Sequence, residues 1–459
     1  MPKKLSTLTK ILYGTGDLGY SMTNSIIATI FPLFMMDVVG ISPGLAAIAL
    51  FIGRSWDYIN DPIIGYLSDR TRSRFGRRRP WLLFGALPFG LAFLLLWIKP
   101  DIANTTALVL FYAFLYLLYE FTATAVYMPY FALTPELSED YDERTQVTSF
   151  RMLFNIIGGL IAYTLPMMLI GSVSPANADR LILMGAVFGA VAAIPYLVVF
   201  FSTKERKDFV PEQPPKLIPS LISALKNKPF IFAAGIYLVT WLTIIILETN
   251  LLIYIKYGVL RESQSSIIMA VMFITAIIAL PFWTWISKKG NKRKAYMIGV
   301  AFWAVVMCAL VLVRPETPFW VLLVMCFLVG IGLSAAQVLP WAIIPDAIEW
   351  DEYQTGERHE GVFYSLITLL GKIANSIAVP LSLMVLELTG YVANAPQQPK
   401  STLTGLKIMI GPIPALLLFS GILFAYFYPL SREKYSHIVS ELHLRREARK
   451  LQHPSSLPG

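Results

Sequence analysis

Charge is scarce in this chain. Only 15% of its 459 residues are Asp, Glu, Lys or Arg, where a soluble domain carries about a quarter. With 56% of residues hydrophobic, a soluble fold would be left with greasy surface facing water. Cysteine is nearly absent as well. Cys308 and Cys326 both fall in apolar runs, so no disulfide framework is implied and both read as inert small hydrophobes. Histidine is limited to His359, His437, His443 and His453, in a loop and the C-terminal tail. With no metal-ligand cluster and no nucleophile beside a base, a membrane enzyme or a non-transporting sensor is the least favoured class. Strand-period alternation is missing, which argues against a β-barrel. The basic N-terminus (Lys3, Lys4, Lys10) precedes an apolar run without a small-residue cleavage site, so that run reads as a retained first span.

What is present is a series of long apolar runs, such as Trp81 to Ile98 and Ile182 to Phe201. Each is long enough to cross about 30 Å of hydrocarbon as a helix. The length criterion predicts spans near 11–36, 44–67, 81–98, 107–133, 147–170 and 182–201, then 230–257, 265–287, 295–313, 319–344, 362–388 and 405–428. The expected fold is an all-α membrane protein with twelve transmembrane helices in two pseudo-symmetric six-helix halves. The division is an N-terminal bundle 1–201, a linker 202–229, a C-terminal bundle 230–428 and a tail 429–459. The stretch Pro219 to Leu225 is expected as a short surface helix.

The net charge of +9 does not point to nucleic acid, because the basic residues lie in short loops between apolar runs. Arg70 to Arg79, Arg144, the linker lysines, Lys288 to Lys294 and Arg445 to Lys450 all fall on one side. The positive-inside rule makes that side cytoplasmic, with both termini there, in a cytoplasmic (inner) membrane. The expected partners are a small-molecule solute and membrane lipid, with the chain working as a monomer.

An internal repeat supports the two halves. The fourth span ends Met128-Pro129-Tyr130 to Pro135, followed by acids Glu136 to Glu143. The tenth ends Leu339-Pro340-Trp341 to Pro345, followed by acids Asp346 to Glu352. Both are read as acidic loops at the same ordinal place in each half, as parallel repeats require.

Span two carries Arg54, Asp57, Asn60 and Asp61. Asp57 and Asp61 are four apart and share one helix face. Intramembrane acids are costly and face the bundle interior. Two like charges a turn apart are relieved by a bound cation or a shared proton, so Na⁺ or H⁺ is the expected coupling ion and no other cofactor is implied. A static Arg54–Asp57 pair is the plainer reading, but it leaves Asp61 over. Lys372 lies deep in span eleven and is the natural partner of these acids. Glu120, Arg151 and Glu248 are further intramembrane charges. Tyr20, Trp56, Tyr127, Trp241 and Trp341 are available as aromatic walls for a sugar or an amphiphile. The run Asp69-Arg70 to Arg77-Arg78-Arg79 reads as a surface anchor and a latch between helices. With Glu136, Asp142 and Arg144 it forms the expected cytoplasmic gate.

With these residues assembled, the chain resembles the glycoside–pentoside–hexuronide:cation symporters of the major facilitator superfamily, the melibiose permease type. The resemblance rests on Asp57, Asn60, Asp61, Pro62 and Gly65, on Asp69 to Trp81, on Pro135-Glu136-Leu137 through Asp142-Glu143-Arg144-Thr145, and on Lys372. It implies alternating access around a central cavity, a cation at Asp57 and Asp61 with Asn60 and Thr124 beside them, and coupling through Lys372 and Arg54. Ser21 and Tyr127 stand where melibiose permeases carry sugar-binding aspartates, and Phe131 replaces the neighbouring tryptophan. The expected solute positions are therefore Ser21, Tyr20, Tyr127, Phe131, Arg151 and Trp341. A sugar or glycoside is the first expectation, and a lysolipid or other amphiphile the alternative.

Overall fold

The computed structural model describes residues 5–138, 141–205, 224–289, 291–356, 360–430 and 432–452. Every regular element among them is a helix. We number them α1 (Thr7–Val39), α2 (Pro43–Ser55 continued by Asp57–Arg70), α3 (Arg79–Leu95), α4 (Thr105–Leu137), α5 (Tyr141–Ile170) and α6 (Ala178–Ser202). Then follow α7 (Lys228–Ile253), α8 (Ser265–Lys289), α9 (Lys292–Leu310), α10 (Phe319–Thr355), α11 (Glu360–Leu388), α12 (Lys400–Ile410 with Pro412–Tyr426) and α13 (Arg432–Gln452). Starts are set by local chemistry. The side chains of Asn104 and Asn227 accept the N–H of Ala107 and of Phe230, and Pro43 opens α2, as N-caps and first-turn prolines do.

Among the described residues, ten helices are long and apolar enough to cross a membrane, and α3 is a shorter apolar one. The α2 pair differs because Arg54, Asp57, Asn60 and Asp61 interrupt its apolar run, and its helical pattern breaks at Trp56. Expected helix bounds were also too short. Helix α4 runs to Leu137, α5 begins at Tyr141 and α10 continues to Thr355. Glu136 and the acids Asp346 to Glu352 therefore lie on helical extensions and not in loops, because a helix satisfies its backbone past the apolar stretch. Of the expected surface helix 219–225, all but Ala224 and Leu225 lies outside the described residues.

The helices pack in a repeating pattern. In the first half α1 packs on α5 and α6, α3 on α4 and α6, and α2 on α4. Adding six to each number gives the second half: α7 on α11 and α12, α9 on α10 and α12, α8 on α10. Across the halves α2 meets α11, α5 meets α8 and α1 meets α7. The same operation exchanges the first two contacts and returns the third, as a twofold relation requires. A close and reciprocal approach joins α3 and α6. A Cβ on Gly90 would lie 2.7 Å from the Gly189 carbonyl oxygen, and one on Gly189 2.5 Å from that of Gly90. Small residues here let the two backbones touch.

Candidate functional site

Lys372, from α11, reaches across to α2. Its ammonium bonds Asp61 Oδ2 and lies 3.6 Å from Asp57 Oδ2. The i,i+4 spacing of the acids is what lets one ammonium serve both. Asp57 Oδ1 is buried without a hydrogen-bond partner. Asp61 and Lys372 keep 22% and 30% of their side-chain surface open, so the pair is not sealed. A second link crosses nearby, where Tyr58 donates to Ser376 at 2.8 Å.

Arg54 does not make the static pair with Asp57. It donates to Asn24 Oδ1 at 3.0 Å, and its Nε stands 3.8 Å from Glu120 Oε1. Asn60 turns toward α4, where its amide donates to the Glu120 carbonyl at 3.2 Å. Thr124 is buried one helical turn beyond Glu120. Among the described residues, no three His, Cys, Asp or Glu side chains converge as a metal-holding group.

A second polar group lies on α1, α4 and α5. Arg151 Nε donates to Asp17 Oδ2 at 2.6 Å, its Nη2 to Oδ1 at 3.3 Å and its Nη1 to Thr134 at 2.8 Å. Tyr130 and Tyr127 donate to the same carboxylate at 2.9 and 3.2 Å. The guanidinium lies 4.7 Å from the ring centre of Phe131, which is exposed. Tyr20 stacks on Tyr127 at 4.2 Å and lies in electrostatic range of Asp57 and Glu120. The aromatic group thus adjoins the acid cluster. Ser21 instead donates to the Asn155 carbonyl at 2.7 Å, tying α1 to α5. Trp341 packs edge-on against Tyr237 at 5.3 Å, in the other half.

The basic loop braces one half. Arg77 Nη2 and Arg78 Nε lie 3.1 and 2.8 Å from Glu136 Oε1, and Arg78 also bonds Asp69 at 2.9 Å. Glu205, just past α6, accepts the backbone N–H groups of Arg77, Arg78 and Arg79 at 2.7 to 2.9 Å. Arg79 donates to the Phe200 carbonyl. Arg70 is exposed and stacks on Tyr66 at 4.2 Å. The side chains of Asp142 and Arg144 lie outside the described residues. The brace joins α3, α4 and α6 within the first half.

Sequence reasoning missed Asp17, Asp37 and Glu205 as partners. Asp17 and Asp37 were open to discovery as acids inside or at the end of an apolar run. Glu205 carried no such signal.

The model of the MFS/sugar transport protein family matches residues 12–432. The chain belongs to this family. It is 31% identical to a Synechocystis symporter, over 97% of this chain and 98% of that one. It is 27% identical to the sodium-dependent lysophosphatidylcholine symporter 1-B of Danio rerio, over 94% of this chain and 88% of that one. Among solved structures it is similar to the inward-open xylose transporter of E. coli, at TM-score 0.64 and 14% identity, over 94% of this chain and 98% of that one. That likeness establishes the major facilitator fold. The chain is a multi-pass membrane transporter and not an enzyme.

Proposed function

We propose that this chain is a sodium-coupled symporter of a lysophospholipid-like amphiphile, working by alternating access. The observation that carries the reading is the bridge from Lys372 to Asp57 and Asp61 across the two halves. A monovalent cation at the two acids would take over the role of the ammonium and release a link between halves. Cation binding and rearrangement then become one event. Oxygen donors suit Na⁺, Asp57 Oδ1 lacks a hydrogen-bond partner, and sodium-dependent relatives favour it over H⁺. In this reading Asn60 and Thr124 would supply further oxygens. Moving one charge inward draws on about 2.3 kcal/mol per 100 mV.

The amphiphile is favoured over a sugar because the carboxylate beside the expected solute positions, Asp17, is engaged by Arg151, Tyr127 and Tyr130. What remains is aromatic surface from Tyr20, Tyr127 and Phe131, since the Arg151 guanidinium is itself held by Asp17 and Thr134. Such a surface suits an acyl chain. In this reading both termini and the Arg77 end are cytoplasmic, α2 and α3 also cross the membrane to give twelve spans, and 1–201 and 230–428 are the moving halves. The linker 202–229 and tail 429–459 complete the monomer. A sugar is the second reading, favoured by the family description. Uptake into proteoliposomes separates them. Sodium-stimulated entry of lysophosphatidylcholine, with glycosides excluded, is expected. Sodium-stimulated glycoside entry alone would reverse the choice.

A further inference from the structure

The Arg54–Glu120 pair is not used by the coupling account above, yet it sits against the cation site. Glu120 is 2% exposed; its Oε1 has no hydrogen-bond partner and stands 3.8 Å from Arg54 Nε, while Tyr116 hydrogen-bonds the carboxylate. Its backbone carbonyl holds Asn60, one residue before Asp61. The charges acting on Asp57 are those of Glu120, Lys372, Asp61 and Arg54. These five groups form one electrostatic unit. Three carboxylates, Asp57, Asp61 and Glu120, face two cations, Arg54 and Lys372, so the ionised set sums to 2 − 3 = −1. Because buried charge is costly unless balanced, the set calls for one more positive charge and no more. A fourth acid, Glu248 on α7, interacts with Arg54 and is hydrogen-bonded by Tyr163, and is not among the charges acting on Asp57.

We infer that Glu120 is a positioning residue that sets the cation requirement of the site, fixing it at one monovalent ion, while Arg54 sets the opposite limit. Glu120 does so through its charge and not as a ligand, since the three acids do not converge as a metal-holding group. This rests on the sodium-coupled reading and goes further: it assigns the charge balance to a residue outside the Asp57–Asp61 face. Without Glu120 the set is neutral and has no use for a cation. Without Arg54 it carries −2 and holds Na⁺ more strongly. A plain structural ion pair predicts something else, because removing either partner then disturbs the site in the same direction.

The test is sodium-dependent thermal stabilisation of the purified full-length protein in nanodiscs, with ²²Na⁺ binding as a second readout. Glu120→Gln is expected to raise the half-saturating Na⁺ concentration at least tenfold, and Arg54→Gln to lower it at least tenfold. The double variant returns the sum to −1 and is expected within about threefold of wild type. Glu248→Gln is expected to leave it unchanged. Shifts of the two single variants in the same direction, an unmoved Glu120→Gln, or a Glu248→Gln shift as large as that of Glu120→Gln overturns the proposal. Should Glu120→Gln not fold, Arg54→Gln decides alone, and an unchanged or raised midpoint overturns it. A wild-type protein with no response to Na⁺ overturns the coupling reading itself, which is a separate outcome.

Discussion

Asp37 and Lys256 meet at 2.6 Å where the two helices on the pseudo-twofold axis end. Both ends are π-helical, over Phe34–Val39 and Tyr254–Gly258. π-Turns are uncommon and collect at functional places. The Asp37 side chain is fully buried. It also accepts hydrogen bonds from Tyr257 at 2.5 Å, from Tyr391 at 2.6 Å and from the backbone of Asn394 at 3.3 Å. Lys256 in turn donates to the Val173 carbonyl at 2.5 Å. One carboxylate thus ties α1 to α7 and to the segment after α11. In the proposed orientation this is the outer end, held shut.

Breaking one side of a buried, hydrogen-bonded pair costs about 3–5 kcal/mol, enough to shift two conformations well over a hundredfold. Asp37→Ala should therefore open the outer end. A cysteine placed at Ile41, buried beside this hub, is expected to react with an impermeant thiol reagent at least tenfold faster in Asp37→Ala. Equal rates would show that other contacts hold the end closed.

Asp61→Asn keeps the shape of the side chain and removes its charge. Sodium-stimulated uptake is expected to fall to background while membrane insertion and yield stay near wild type. Full sodium-driven accumulation in this variant would place coupling elsewhere.

The arginine run was expected as a latch between helices and part of a cytoplasmic gate, and its described contacts lie within one half. Removing Arg77 and Arg78 together strands Glu136, which is 1% exposed, and a stranded buried charge is destabilising by several kcal/mol. Slower turnover is expected, with solute affinity changed less than threefold. Labelling of a cysteine at Ala132 is expected to rise as α4 loosens from α3. Unchanged labelling with normal transport would leave topology as the role of these arginines.

Much of this was legible in the sequence because it is local or repeats. Asp57 and Asp61 share a face by spacing alone, Lys372 is a charge deep in an apolar run, and the two halves echo each other. What was hidden is tertiary. Asp17 and Arg151 are 134 positions apart, and Asp37 and Lys256 are 219 apart. An acid in an apolar run announces that it needs a partner, but not which one. Arg54 shows the limit, since the nearest acid in sequence is Asp57 and the partner used is Glu120. Helix ends were missed because α4 and α10 continue past their apolar stretches.

Gly189 marks a close backbone approach in the first half. Gly189→Ala would put a methyl 2.5 Å from the Gly90 carbonyl oxygen and force α3 and α6 apart. Overpacking of this kind costs about 1–3 kcal/mol. A lower melting temperature with an unchanged sodium midpoint is expected. A shift in the sodium midpoint without loss of stability would mean that the α3–α6 seam takes part in coupling.

The central claim is that Lys372 and Na⁺ exchange at Asp57 and Asp61. Its most direct test is the sodium-binding isotherm of Lys372→Met, which keeps the length of the side chain and removes the competing charge. The account predicts half-saturation at a Na⁺ concentration at least tenfold lower than in wild type, with sodium-driven transport lost. A midpoint that is unchanged or higher would contradict it.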